Sequence, residues 1–235
     1  MSFFDENDNL IDINTFEKPE QELAQTYIIN SDIVLELGAR YGTVSCIINK
    51  ILLNRKNQVV VEPDERVWSA LEKNKINHNC EFNIVKGFIS NRKMDLINKE
   101  CGYGTTSCTS DDSSILSHTL DEIQYMYNLK FNVLIADCEG FLETFLDENP
   151  ILYAQLRMII FEADYPDKCN YEKIKKNLLN KHFINKIDGF QNLWIKIPYD
   201  FNIDIYRLSL ESNFTDSDCI KHYINNGYRE HRVYK

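Results

Sequence analysis

At 235 residues, with 43% apolar and 26% charged side chains, the chain has the length and composition of one globular α/β domain rather than two domains or a disordered segment. Its 26 Lys and Arg against 36 Asp and Glu leave a net charge of −10 without a dense basic run, which argues against nucleic acid or an anionic membrane surface as partner. Seven scattered cysteines without a C-x-x-C pair suggest neither a zinc knuckle nor a disulfide framework. An acidic N-terminus and the lack of any 18-residue apolar run predict no secretory signal and no membrane insertion, hence a cytoplasmic protein.

Residues 1–18 are polar and aperiodic and read as a loosely held arm, followed by a lead-in helix over 19–29 with Pro19 at its start. Strand and helix then alternate: strand 33–37, helix 42–54, strand 58–62, helix 65–76, strand 82–86. That alternation predicts parallel strands with crossover helices. Residues 90–117 break the rhythm with Gly102, Gly104 and a Thr/Ser/Asp-rich tract at 105–114, too polar for core and too long for an ordinary connection. Such a stretch is either disordered or a cover over substrate. Regularity returns with a helix at 119–128, a strand at 131–136 ending at Asp137, a helix at 140–154 and a strand at 158–161 ending at Glu162. After an amphipathic helix at 171–181, segments 183–187 and 192–197 flank Asp188-Gly189 and read as an antiparallel hairpin. The predicted fold is α/β: a Rossmann-like, seven-stranded, mostly parallel sheet with a C-terminal antiparallel hairpin and helices on both faces. The expected division is an arm and lead-in helix (1–30), the catalytic domain (31–200) and a helical extension (201–235).

The first strand includes Glu36 and turns through Gly38 and Gly42, so a ligand can approach bare backbone beside a carboxylate. A dinucleotide fingerprint needs a third glycine in a G-x-G-x-x-G frame, and this loop lacks it. An acid before a short glycine turn suits S-adenosylmethionine better, because its amino acid end offers an ammonium and it carries no phosphate. Glu62, ending the second strand 26 residues later, is placed to accept both ribose hydroxyls. The candidate cofactor residues are Glu36, Gly38, Ala39, Tyr41, Gly42, Glu62, Phe88 and Asp137. Strand ends gather along one edge of a doubly wound sheet, so Glu36, Glu62, Asp137 and Glu162 are expected to face one crevice. Methyl transfer to a hydroxyl needs a positioned acceptor and removal of its proton. Asp137 and Glu162 are the candidate catalytic residues, and with Asp164 they are the set that would hold Mg²⁺. His118 could act as a base, but a lone His is more often a cap or surface residue. No G-x-S-x-G elbow supports a serine nucleophile.

These residues resemble the FkbM-type S-adenosylmethionine-dependent methyltransferases. The likeness rests on Glu36-Leu37-Gly38-Ala39-Arg40-Tyr41-Gly42, Glu62-Pro63-Asp64, Thr119-Leu120-Asp121, Asp137-Cys138-Glu139-Gly140 and Ile159-Ile160-Phe161-Glu162 in that order. The resemblance covers roughly 30–165 and implies O-methylation of a sugar, glycolipid or polyketide hydroxyl. Where family members carry a second Glu two residues after the Asp-x-Glu-Gly glycine, this chain has Leu142 followed by Glu143, and Arg40 stands where Asn is common. The tail ending, residues 222–232, resembles a short helical module attached to glycosyltransferases and repeated in some large DNA virus proteins. With an A/T-biased composition it points to a viral or protist glycan pathway, in the host cytoplasm if viral. The expected acceptor is a small-molecule sugar, nucleotide sugar or glycan, and the oligomeric state is left open. Rival readings are a non-catalytic glycan-binding or scaffold protein on the same fold and a nucleotide-sugar oxidoreductase or epimerase, the latter disfavoured by the missing glycine.

Overall fold

A computed structural model describes residues 2–97, 105–210, 213–230 and 232–235. In chain order the main elements are α1 (Lys18–Tyr27), β1 (Val34–Leu37), α2 (Thr43–Ile51), β2 (Gln58–Glu62), α3 (Trp68–Asn77), β3 (Asn83–Lys86), α4 (Leu120–Tyr127), β4 (Val133–Ala136), α5 (Leu142–Glu148), α6 (Leu152–Gln155), β5 (Met158–Glu162), α7 (Tyr171–Asn180), β6 (Phe183–Ile187), β7 (Gln191–Lys196), α8 (Ile203–Ser209) and α9 (Asp216–His222). One seven-stranded sheet runs in the order β6-β7-β5-β4-β1-β2-β3. The first five strands are mutually parallel, β7 is antiparallel to β5, and β6 is antiparallel to β7. This is the predicted Rossmann-like sheet with its terminal hairpin.

The central strands are apolar without alternation because both faces are covered. On one face Leu35, Val59, Leu134 and Ile159 meet Ile123 of α4, Phe145 of α5 and Ile174 of α7. On the other, Val34, Val133 and Met158 meet Ala24 of α1 and Ile48 of α2, with Ile224 from the C-terminal segment. The tail therefore packs on the sheet. Tyr206 of α8, Cys219 of α9 and Tyr223 form a small core of their own beside it.

Three local departures have physical causes. The helix expected at 140–154 is two helices, since Pro150 lacks an N–H and disfavours helical geometry at Asn149. The arm is not loose: Phe3–Phe4 pairs antiparallel with Leu10–Ile11, and Phe3 is buried against Cys46 and Phe82. Asn74 fixes it by accepting from Phe4 N at 3.0 Å and donating to Phe4 O at 2.8 Å. A single inserted ring leaves no periodicity to read. Within 90–117, Met94–Ile97 pairs antiparallel with Thr106–Thr109, and Phe88–Ile89 pairs with Ser117–His118. Gly102 and Gly104 lie outside the described residues.

Asp32 and Arg157 tie the strand starts to the tail. The fully buried Asp32 carboxylate accepts from Arg157 Nε at 2.7 Å, Arg157 Nη2, Asn132 Nδ2 at 3.3 Å and Ile29 N at 2.9 Å. The Arg157 guanidinium also lies 4.7 Å from the Tyr228 ring centroid. Removing one partner of a buried pair leaves the other charge uncompensated. Asp32→Ala is expected to cost about 3 kcal/mol in denaturant unfolding; a cost under about 1 kcal/mol, the value of an exposed pair, would mean that Arg157 reaches solvent instead.

Candidate functional site

Strand register sets the site. Leu37 lies beside Val61 and beside Ala136, and Ala136 beside Phe161, so the carboxyl ends of β2, β1, β4 and β5 are level. One step on, Glu62, Gly38, Asp137 and Glu162 form a row. Gly38 has φ +84°, and a Cβ placed there would lie 1.6 Å from the Asp137 carbonyl oxygen. Only glycine lets the first and fourth turns touch in this way. Asp137 N in turn donates to Leu37 O at 3.0 Å, and Gly38 N donates to Val61 O at 3.0 Å.

A cavity of about 730 Å³, counting its mouth, opens at this row. Gly38, Glu62, Asp137 and Phe88 line it, joined by Leu37 and Phe141. Glu62 is held by Arg40 N donating to Oε2 at 2.7 Å and Asp64 N donating to Oε1 at 2.8 Å. Each oxygen keeps a lone pair for a further donor. The apolar walls from Phe88, Ile89 and Phe141 suit a flat ring, and the acids suit hydroxyls and positive charge.

The other predicted cofactor residues stand apart from this cavity. Ala39 packs against Phe3 and Cys46, Tyr41 against Val67 and Ala70, and Gly42 opens α2 beneath Leu71. Tyr41 donates to Glu6, so the arm covers the outer side of the glycine turn. Glu36 points under the sheet edge, accepting from Ser45 Oγ at 2.8 Å and Gln58 Nε2 at 3.1 Å. Side chains alternate along a strand, so Leu37 faces the cavity and Glu36 the α2 layer.

Glu162, although level with Asp137, lies outside the metal set expected for it. Its side chain points toward α1, where Gln191 Nε2 donates to Glu162 Oε2 at 3.3 Å and to Glu20. The carboxylates that converge are instead Asp137, Glu139 and Asp164, each bringing one oxygen within 4.8 Å of the others. Glu139 enters because residues 139 and 140 both adopt left-handed backbone (φ +51° and +85°), which turns the chain back over the cavity. The signal was in the Asp-x-Glu-Gly element. His118 does not line the cavity. Glu143, adjacent to the divergent Leu142, pairs with Lys173 at 3.0 Å, while Leu142 is buried.

Sequence inspection also missed Glu17 and Glu20, which reach the row from α1 and its N-cap. Burial pushes Glu17 up to about 8 and Glu162 up to about 9, with Asp137 and Glu20 adding like-charge repulsion on both. Burial likewise raises Glu36, Glu62 and Asp137 to about 7 each, against hydrogen bonds to Glu36 and Glu62 and the Arg40 charge beside Glu62 and Asp137. The edge is one coupled acidic field. Because these pKa values are raised in the fold, the native state keeps protons that the unfolded chain has already released; for Glu17 the unfolded carboxyl gives up its proton near 4.5 and the folded one near 8. Stability is therefore greatest below this window and falls as pH rises through it, by about 1.4 kcal/mol per unit for each proton fully retained. Glu17→Gln, a permanent mimic of the protonated form, is expected to flatten the decline in Tm between pH 5 and 8. Parallel profiles for variant and wild type would remove Glu17 from the field.

No model of a known protein family matches the sequence, and no curated protein matches it. Solved structures similar to this chain include an rRNA methylase from Streptococcus thermophilus, 9% identical over 77% of this chain and 95% of its own length, with a TM-score of 0.48. A protein of the NADB-Rossmann superfamily from Streptococcus agalactiae is 8% identical over 86% of this chain and 72% of its own, also at 0.48. The precorrin-6y C5,15-methyltransferase of Geobacter metallireducens is 12% identical over 74% and 85%, at 0.46. At these identities the likeness concerns the fold alone. Among the described residues no helix is long and apolar enough to cross a membrane.

Proposed function

We propose that the chain is an S-adenosylmethionine-dependent O-methyltransferase acting on a sugar hydroxyl, of a nucleotide sugar or a glycan, within a domain spanning about 31–200. The carrying observation is the cavity at Gly38, where bare backbone, the Glu62 carboxylate and the Asp137 carboxylate meet apolar walls in an acidic field. A dinucleotide would place a pyrophosphate against these acids, which disfavours the oxidoreductase reading. A sulfonium and an ammonium would be welcomed by them. Glu62 is assigned the ribose hydroxyls and Phe88 and Ile89 the base, while Glu36 acts from beneath through charge and turn position. Ala39, Tyr41 and Gly42 are assigned the shape of the turn.

When bound, S-adenosylmethionine supplies a methyl carbon for the acceptor oxygen to attack, with the carbon–sulfur bond breaking and its electron pair passing to sulfur. Asp137, which lines the cavity, takes the hydroxyl proton. Asp137, Glu139 and Asp164 are also the oxygen set a Mg²⁺ would use; with the ion bound it would lower the hydroxyl pKa. Glu162 is assigned an electrostatic part in tying α1 to the edge.

Calorimetry with S-adenosylmethionine tests the reading, and no binding at millimolar cofactor would sink it. Glu62→Ala is expected to weaken binding by about 1.5 to 3 kcal/mol, the range for hydrogen bonds to a charged acceptor. Unchanged affinity would remove Glu62 from the site. A protein with intact cofactor binding but no transfer to any acceptor would favour the scaffold reading.

A further inference from the structure

A second cavity, about 700 Å³ on the same basis, adjoins the first and shares Ser107, Glu139 and Phe141 with it. It runs between the Met94–Ile97 and Thr106–Thr109 hairpin on one side and the 139–144 turn on the other. The two cavities share Glu139, two residues on from Asp137 in the turn that lines the first, so a ligand in the second that reaches past Glu139 presents one end to Asp137. Its charge differs from that of the first. Among the described residues Arg92 and Lys168 line it against one acid, Glu139, in a chain whose net charge is −10.

The two cations are held differently. Arg92 Nε donates to Glu148 at 2.8 Å, so part of its charge is already compensated. Lys168 Nζ donates to the hydroxyl of buried Thr106, lies 5.7 Å from the Tyr165 ring centroid and has no carboxylate partner among the described residues. Its stem is fixed by Gly140: a Cβ at that residue would lie 3.0 Å from Lys168 Cβ. The Thr106 bond ties the ammonium across the groove to the hairpin. Ser107, Thr109 and Thr144 add hydroxyls along the wall.

We propose that this groove is the acceptor subsite and that it selects a phosphorylated sugar, with Lys168 holding the phosphate while the hydroxyl to be methylated lies at Asp137. This rests on the methyltransferase reading above. A lysine is a point charge suited to phosphate, and the lining hydroxyls can donate to or accept from the sugar. A neutral sugar would leave the ammonium unused, and a carboxylate sugar would use it with fewer acceptor oxygens.

The test is calorimetric titration of the full chain with glucose 1-phosphate, glucuronate and methyl glucoside, each beside an S-adenosylmethionine titration. Glucose 1-phosphate is expected to bind at least about tenfold tighter than methyl glucoside, and about 1.4 kcal/mol corresponds to that factor. Lys168→Ala is expected to bring the two within about twofold of each other while leaving S-adenosylmethionine affinity unchanged, and Lys168→Arg to restore most of the preference. Equal binding of neutral and phosphorylated sugar, a preference that survives Lys168→Ala, or no sugar binding at about 10 mM overturns the inference. Tighter binding of glucuronate than of glucose 1-phosphate also overturns the choice of phosphate. Loss of S-adenosylmethionine binding in the wild type strikes the proposed function instead, so the two failures are read separately.

Discussion

Gly38→Ala is expected to abolish S-adenosylmethionine binding and to lower Tm by more than about 10 °C, or to prevent folding. The methyl group would lie 1.6 Å from the Asp137 carbonyl oxygen and 2.8 Å from its carbon. Both atoms are backbone, and sheet hydrogen bonds from Asp137 N to Leu37 O and from Gly38 N to Val61 O hold that backbone in place. Relief requires β1 and β4 to part at their carboxyl ends. Adopting φ +84° with a side chain adds roughly 1 to 2 kcal/mol of strain before the clash is counted. For a domain of this size each kcal/mol lowers Tm by about 2 to 4 °C. Thermal unfolding and calorimetry on the same preparation decide the matter; a variant with wild-type Tm and affinity would show that the turns can separate freely. A stable fold with lost binding would locate the whole effect at the cavity.

The sheet was legible because burial on both faces writes long apolar runs, and because Glu62, Asp137 and Glu162 mark where those runs stop. Their level register follows from parallel pairing, which sequence spacing suggests but cannot fix to one residue. Parity was available for Glu36, which counting by two from Leu37 places on the α2 side, but it could not tell Glu162 from Glu62 and Asp137, which end their strands level with it and with the same parity. Glu17 and Glu20 could not be found in this way. They reach the edge through a docked helix whose packing depends on Ala24 meeting Ile48 and Val34, a tertiary contact with no local signature. Lys168 was invisible for the same reason, since its place follows from two left-handed residues at 139 and 140 and from the hydroxyl of Thr106, 62 residues away.

Asp137→Asn is expected to lower turnover by about 10² to 10⁴, the range for loss of a positioned general base, with a much smaller change in cofactor affinity. The amide keeps the shape of the carboxylate but cannot take a proton. Burial, with Asp164 and Glu20 adding repulsion and Arg40 opposing them, raises Asp137 to about 7. A base must be ionised to act, so kcat/KM in the wild type should climb as pH rises to about 7 and then level off. The variant should lose this limb. A positively charged cofactor beside Asp137 favours the carboxylate, so the limb of kcat should lie at lower pH than that of kcat/KM. Chelation distinguishes the two uses of the carboxylate: full activity after exhaustive dialysis against EDTA leaves proton removal, while loss restored by Mg²⁺ would assign Asp137, Glu139 and Asp164 to the ion. Equal losses of turnover and affinity in Asp137→Asn would make it a cofactor or structural residue, because a group that acts on the acceptor proton has no reason to weaken donor binding to the same extent.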